Sequence, residues 1–285
     1  MEGVKVACGQ ITWGGKVPTE TVLAEIARAG YAGAPASTRS GKTAKELGEL
    51  FARFDLAPAP GYLGLAWWEA DKRGEQLEQA AREAAYAREL GLTELYVASN
   101  LTPARRLLAG HVARADAPSA DDFVRFADLL NKVGQVTLRE GVRICFHNHV
   151  GSPIETRREI DQLFARVDRS VVFQGADIGH LAWAGDDVVQ FVKDYAGSFL
   201  TLHIKDIDPR VLAEGVAKGW DYAAFSDAGI FAELGEGMVD FPAMFEELKM
   251  QSFQGWIVVE TDVTQKATPF ESAQISRDYL QSIGV

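Results

Sequence analysis

The sequence is poor in several residues that would commit it to particular classes. It has two cysteines, Cys8 and Cys145, each inside an apolar run. Two such residues build no disulfide framework, and this usage fits a reducing cytoplasm. No run of 18 apolar residues and no leader pattern at Met1–Trp13 is present, so neither a membrane span nor a secretory segment is expected. Basic residues are in deficit, 29 Lys and Arg against 40 Asp and Glu, for a formal net charge of −11. A surface of that sign disfavours nucleic acid and anionic membranes as partners. The expectation is a soluble cytoplasmic protein acting on a small molecule, with a homo-oligomer left open. Nor is there a low-complexity tract, a linker or an internal composition break, which points to one unit spanning residues 1–285.

What is present is alternation. Short β-rich runs are separated by amphipathic helical patterns from end to end. The runs are "VKVACGQ" (4–10), "GAPAS" (33–37), "LAPAPGYLG" (56–64), "ELYVAS" (94–99), "VRICFHNH" (142–149), "VVFQGAD" (171–177), "LTLHIKD" (200–206) and "WIVVETD" (256–262). Leu47, Leu50, Phe51 and Phe54 fall on one helix face, as do Ile160, Leu163, Phe164 and Val167. "TAKE", "TRRE" and "TPFE" match the capping box that starts helices. Eight strand–helix units predict an α/β fold, a single (β/α)₈ TIM barrel. The alternative, a doubly wound sheet, is disfavoured because the first turn, "GQITWGGKVP", has no G-x-G-x-x-G. One segment breaks the rhythm: Asp208–Val239 is expected to be a long loop over the active face, its Gly215, Gly219 and Gly229 giving backbone freedom.

Histidine is scarce too, five in all, yet two sit in "ICFHNHV" (144–150) at the end of an apolar strand. By alternation, Cys145, His147 and His149 share one face. The next three strands end in "GADIGH", "LHIKD" and "VVETD", offering Asp177 and His180, His203 and Lys205, and Glu260 and Asp262. A single strand-end histidine is ordinarily structural. Four consecutive strands delivering such groups at the C-terminal rim, where barrels build their sites, predict a metal centre of His147, Asp177, His203 and Glu260. Two imidazoles and two carboxylates suit Mn²⁺ or Co²⁺, with Zn²⁺ and Fe²⁺ also compatible; Mg²⁺ is a poorer match for nitrogen ligands. Glu260 is the expected catalytic base, with Lys205, His149 and His180 as candidates for the acid and for orienting hydroxyls. The pair Trp67–Trp68 reads equally as core or as an aromatic wall.

"FHNHVGSPIETRREID", "DIGH", "HIKDI", "LGEGMVDF", "GWIVVETD" and "PFESAQISRDYL", in that order, resemble the xylose-isomerase-like TIM-barrel superfamily of sugar isomerases and epimerases. Within it, the chain looks most like the inosose dehydratase (2-keto-myo-inositol dehydratase) branch. The resemblance covers nearly the whole chain. It implies a divalent-metal enzyme acting on a sugar or cyclic polyol ketone, through an enediolate stabilised by the metal. It also implies Asp177, His203 and Glu260 as ligands, and places His147 where epimerases carry a glutamate that is both ligand and base. Pro35 likewise stands where many relatives carry glutamate. Loss of one of two opposed bases favours a hydro-lyase over a ketose isomerase or epimerase. A dehydratase of another ring substrate and a catalytically inactive sugar-binding barrel are the remaining alternatives.

Overall fold

The computed structural model describes all residues, Met1–Val285. Eleven short strands are present: β1 (Val4–Cys8), β2 (Gly33–Pro35), β3 (Ala57–Ala59), β4 (Tyr62–Leu65), β5 (Glu94–Ser99), β6 (Arg143–Phe146), β7 (Val172–Gln174), β8 (Thr201–Ile204), β9 (Asp206–Ile207), β10 (Phe231–Ala232) and β11 (Gly255–Val259). Nine of them make eight parallel staves. The run 56–64 is a single stave broken at Pro60–Gly61: β3 pairs with β2, and β4 pairs with β5. Pro60 has no N–H to give to a ladder, so the pairing changes partner there. β5, β6 and β7 continue the wall. Single bridges, Gln174 to Phe199 and Asp177 to His203, join β7 to β8. β8 pairs with β11 and β11 with β1, which closes the barrel. The predicted (β/α)₈ fold is the observed one.

Two cores follow from strand alternation. Ala7, Ala59, Tyr96, Cys145, Trp256 and Val258 fill the barrel. Val6, Cys8, Ile144, Phe146, Leu202, Ile204, Ile257 and Val259 point outward into the helix layer. Both cysteines are free and buried. Thr43–Glu46 and Thr156–Glu159 form complete capping boxes. In the third, Thr268 accepts from the Glu271 amide, but the Glu271 carboxylate accepts from Ala267 instead of Thr268. No helix is long and apolar enough to cross a membrane.

Segment 208–239 departs from the expected loop. It holds helices Pro209–Lys218 and Tyr222–Asp227, and β10 pairs antiparallel with β9. Asp208 and Asp221 cap the two helices through their side chains. Gly215 is a packing glycine instead of a flexible one, since a Cβ there would lie 2.1 Å from the Phe225 ring. The Asp206 carboxylate accepts hydrogen bonds from the amides of Ile207, Gly235, Gly237 and Val239, so the "LGEGMV" turn wraps one buried anion.

Candidate active site

Three staves stop before their site residues, His147, Asp177 and Glu260, while His203 lies inside β8. β6 ends at Phe146, and His147 follows it, buried, with its ring edge-on to Tyr62, Tyr96 and His203. Asn148, pointing the other way, clamps the Asp177 backbone: its Nδ2 donates to the Asp177 carbonyl at 3.0 Å and its Oδ1 accepts from the Asp177 amide at 3.0 Å. Asp177 caps the short helix Ile178–Trp183, spending Oδ1 on the His180 amide and leaving Oδ2 without a hydrogen bond. His147 Nε2 lies 3.7 Å from that Oδ2. His203 closes the group, so that ligand atoms of His147, Asp177 and His203 all fall within 4.8 Å of one another. Glu260 joins through His203, its Oε2 lying 3.0 Å from His203 Nδ1. Two glycines make the geometry feasible. A Cβ at Gly9 would lie 2.3 Å from Glu260 Cγ, and one at Gly179 would lie 2.3 Å from Lys205 Cβ.

Lys205 is the hub of a second ring of groups. Its Nζ lies 2.6 Å from Asp262 Oδ1, 3.2 Å from Glu260 Oε2 and 3.3 Å from Asp177 Oδ2. His180 Nε2 faces the same ammonium at 3.3 Å. Burial opposes the charge on Lys205, but the three carboxylates outweigh it and hold the group protonated. Burial would likewise raise Glu260, but His203 and Lys205 hold it well below the usual carboxylate range. Asp262 moves the other way, up, chiefly through burial. Burial also keeps His147 and His180 neutral and pulls His149 down to about 4.

A divalent ion fits the first group. His147 Nδ1 and His203 Nε2 are buried without a hydrogen-bond partner and Asp177 Oδ2 meets only the Lys205 ammonium, which is costly for polar atoms unless something else engages that group. Three carboxylates around one ammonium also leave an excess of two negative charges in a buried site, matching a dication. His149, His180 and Asp262 form a second cluster of ligand type, but there the Lys205 ammonium already supplies the cation.

Residues 23–283 match the family described as "Xylose isomerase-like TIM barrel". The chain belongs to this family. An inosose dehydratase of Mesomycoplasma hyopneumoniae is 27% identical over 99% of this chain and 97% of the relative. Among solved structures of this fold, the Escherichia coli 3-keto-D-glucoside 4-epimerase superposes with a TM-score of 0.72 at 18% identity, covering 98% of each chain. The IolI protein, solved with a zinc atom, superposes with a TM-score of 0.74 at 16% identity, covering 98% of this chain and 97% of that one.

In this member of the family, a cavity of about 380 Å³ opens onto the site, lined by Tyr62, His147, His149, His203, Lys205, Glu260 and Asp262 among others. The expected residues therefore converge, with one exception in role. His180 does not line the cavity; it is fully buried and its ring lies behind Lys205. Nor does that ring hydrogen-bond Asp177, from which Nε2 is 4.0 Å away. The helix capped by Asp177 turns His180 inward. Trp67 is core, against Phe126 and Phe146, while Trp68 is exposed. Aromatic neighbours of the site are instead Tyr62, beside His147, and Tyr222, which stacks on His149 from the 208–239 segment. Asn148, Gly9, Gly179 and Tyr222 escape a reading by ligand type. The alternation in "HNH" is the one signal that sets Asn148 apart.

Proposed function

We propose that the protein is an inosose dehydratase-like hydro-lyase that requires a divalent ion and removes water from a cyclic polyol ketone. The observation that carries this reading is the pairing, in one cavity, of a single deprotonated glutamate with a buried ammonium, Glu260 and Lys205. Elimination needs one base and one acid. The likeness over nearly full length to a relative named inosose dehydratase supports the substrate class.

His147, Asp177, His203 and Glu260 would hold the ion, which when bound supplies Lewis-acid polarisation of the ketone oxygen. Glu260 takes the proton α to the ketone. As the β carbon–oxygen bond breaks, the departing hydroxide is far more basic than an amine, so Lys205 delivers a proton to it and water leaves. Asp262, 2.6 Å from Nζ, orients the ammonium and is the route by which its proton is restored. The exclusion of solvent around Lys205 and Asp177 strengthens each of these interactions.

One observation favours a second reading, a keto-sugar epimerase. His149 Nδ1 lies 2.7 Å from the Val150 carbonyl, which can only accept, so Nδ1 carries the proton and Nε2 keeps a lone pair. That supplies a second proton acceptor in the cavity. Incubation of the metal-loaded protein with 2-keto-myo-inositol in deuterium oxide separates the two. Growth of ultraviolet absorbance from a conjugated enol-ketone is expected for dehydration. Deuterium entering recovered ketone, with no absorbance change, would replace it with epimerisation.

A further inference from the structure

The catalytic cavity does not end at the metal-type ligands. A second cavity of about 540 Å³ adjoins it on the side of β1 and β2, and the two share Ile11, Pro35 and Arg39 as lining residues. Of the 14 residues around this second space, Arg39 is the one that bears a charge. Its guanidinium lies 5.8 Å from the centre of the Tyr62 ring, and that ring in turn lies edge-on to His147 at 5.2 Å. It forms no ion pair with any carboxylate of this acidic chain.

The turn that carries Arg39 is anchored. Thr38 gives both its amide, at 3.3 Å, and its hydroxyl to Glu83, a buried carboxylate on helix Arg73–Glu89. Pro35, whose carbonyl accepts from Gln10 Nε2 at 2.9 Å, puts no side-chain charge into the junction. An arginine held at the junction of two cavities, with no acid to neutralise it, suits an anionic ligand group, for which its planar fork offers paired donors. Because the protein as a whole repels anions, a local cation matters more for such a ligand than on a neutral surface.

We propose that the substrate carries a carboxylate or phosphate on the side remote from the reacting carbonyl, and that Arg39 binds it across the mouth of the second cavity. This rests on the reading above for where the carbonyl sits, and it adds an anionic group to the cyclic polyol ketone of that reading.

The test is calorimetric titration of the full chain, loaded with Mn²⁺, with three probes: neutral 2-keto-myo-inositol, the carboxylated ring ketone 3-dehydroquinate, and fructose 6-phosphate. One of the two anions should bind at least about tenfold tighter than the neutral ring, as for a hydrogen bond to a charged group. Which one does so assigns carboxylate or phosphate. Arg39→Gln should erase that ratio and Arg39→Lys should restore part of it, with both variants checked for an unchanged melting curve because position 39 is exposed. Equal affinity for all three probes, no binding of either anion, or a ratio that survives Arg39→Gln overturns the inference. Dehydration of the neutral ring with no anion preference would sink this inference and leave the hydro-lyase reading standing. An Arg39-dependent anion preference without dehydration of any ketone would do the reverse.

Discussion

Under the proposed function, one side chain, His147, sets the site's chemistry. It occupies the rim position from which a glutamate could ligate and also act as base, and as a ligand a neutral imidazole has no lone pair left for the second task. His147→Ala is expected to weaken divalent-ion affinity by at least about tenfold, read by equilibrium dialysis. His147→Glu is expected to keep the ion, lower dehydration because an anionic ligand makes a weaker Lewis acid, and introduce slow deuterium exchange α to the ketone. Unchanged binding and turnover in both variants would make His147 a bystander. A second residue-scale test concerns Gly179. A methyl group there would meet Lys205 Cβ at 2.3 Å, and the backbone at 205 cannot yield without moving β8. Gly179→Ala should cost about 1–3 kcal/mol of stability as an overpacked core substitution. It should also lower turnover more than tenfold by displacing the ammonium, with rate and denaturant midpoint measured on the same preparation. The ligand-type residues are legible in the sequence because side-chain chemistry is written there. Gly9 and Gly179 are not, because their role is the absence of an atom where two distant strands approach.

At the scale of elements, the 208–239 segment is held by one carboxylate. Asp206 gathers the amides of Gly235, Gly237 and Val239, and these come from the stretch that returns the chain to helix Phe241–Met250. Asp206→Ala would leave those amides without their acceptor. The expected cost is about 3 kcal/mol, with faster hydrogen exchange at 234–239 than elsewhere. Uniform acceleration across the barrel would instead mean that the turn is not an independent unit. The expectation of a loop here failed for a local reason. Asp208 and Asp221 are helix caps that take effect only once a short helix has something to pack on: for the second helix that is Trp183, 39 residues before Tyr222, and for the first it is Phe225 of the second, against Gly215. The broken third stave was likewise invisible as a break, because the change of partner at Pro60 is decided by which strands lie on either side.

For the molecule as a whole, stability should carry the signature of Glu155. This buried carboxylate accepts from the amides of Gly110 at 2.9 Å and Gly151 at 2.8 Å, and so ties the loop after β5 to the loop after β6. Arg105, 3.7 Å away, is committed to a bidentate pair with Glu159. Burial outweighs the two amide bonds and the nearby guanidinium and pushes Glu155 up to about 7. The folded form therefore holds a proton that the unfolded chain gives up near pH 4.5. Its contribution to stability is complete below that pH, is lost as pH rises towards 7, and is flat above it. The full swing is on the order of 3 kcal/mol. Urea midpoints of the parent and Glu155→Gln, compared from pH 4.5 to 8, should converge or cross as this term is removed. Parallel curves would show that Glu155 does not titrate in this window.

The sequence by itself determined the alternation of strands and helices, hence the barrel, and the ligand-type residues at its C-terminal rim. Both follow from periodicity and from side-chain type, which are local properties of the chain. The tertiary structure alone decided that Lys205 is surrounded by three carboxylates, that His180 lies behind it instead of lining the cavity, and that Arg39 stands between two cavities. Each depends on distances between residues far apart in the chain, set when closing the barrel brings β11 back against β1 and β8, and no local pattern encodes such a distance.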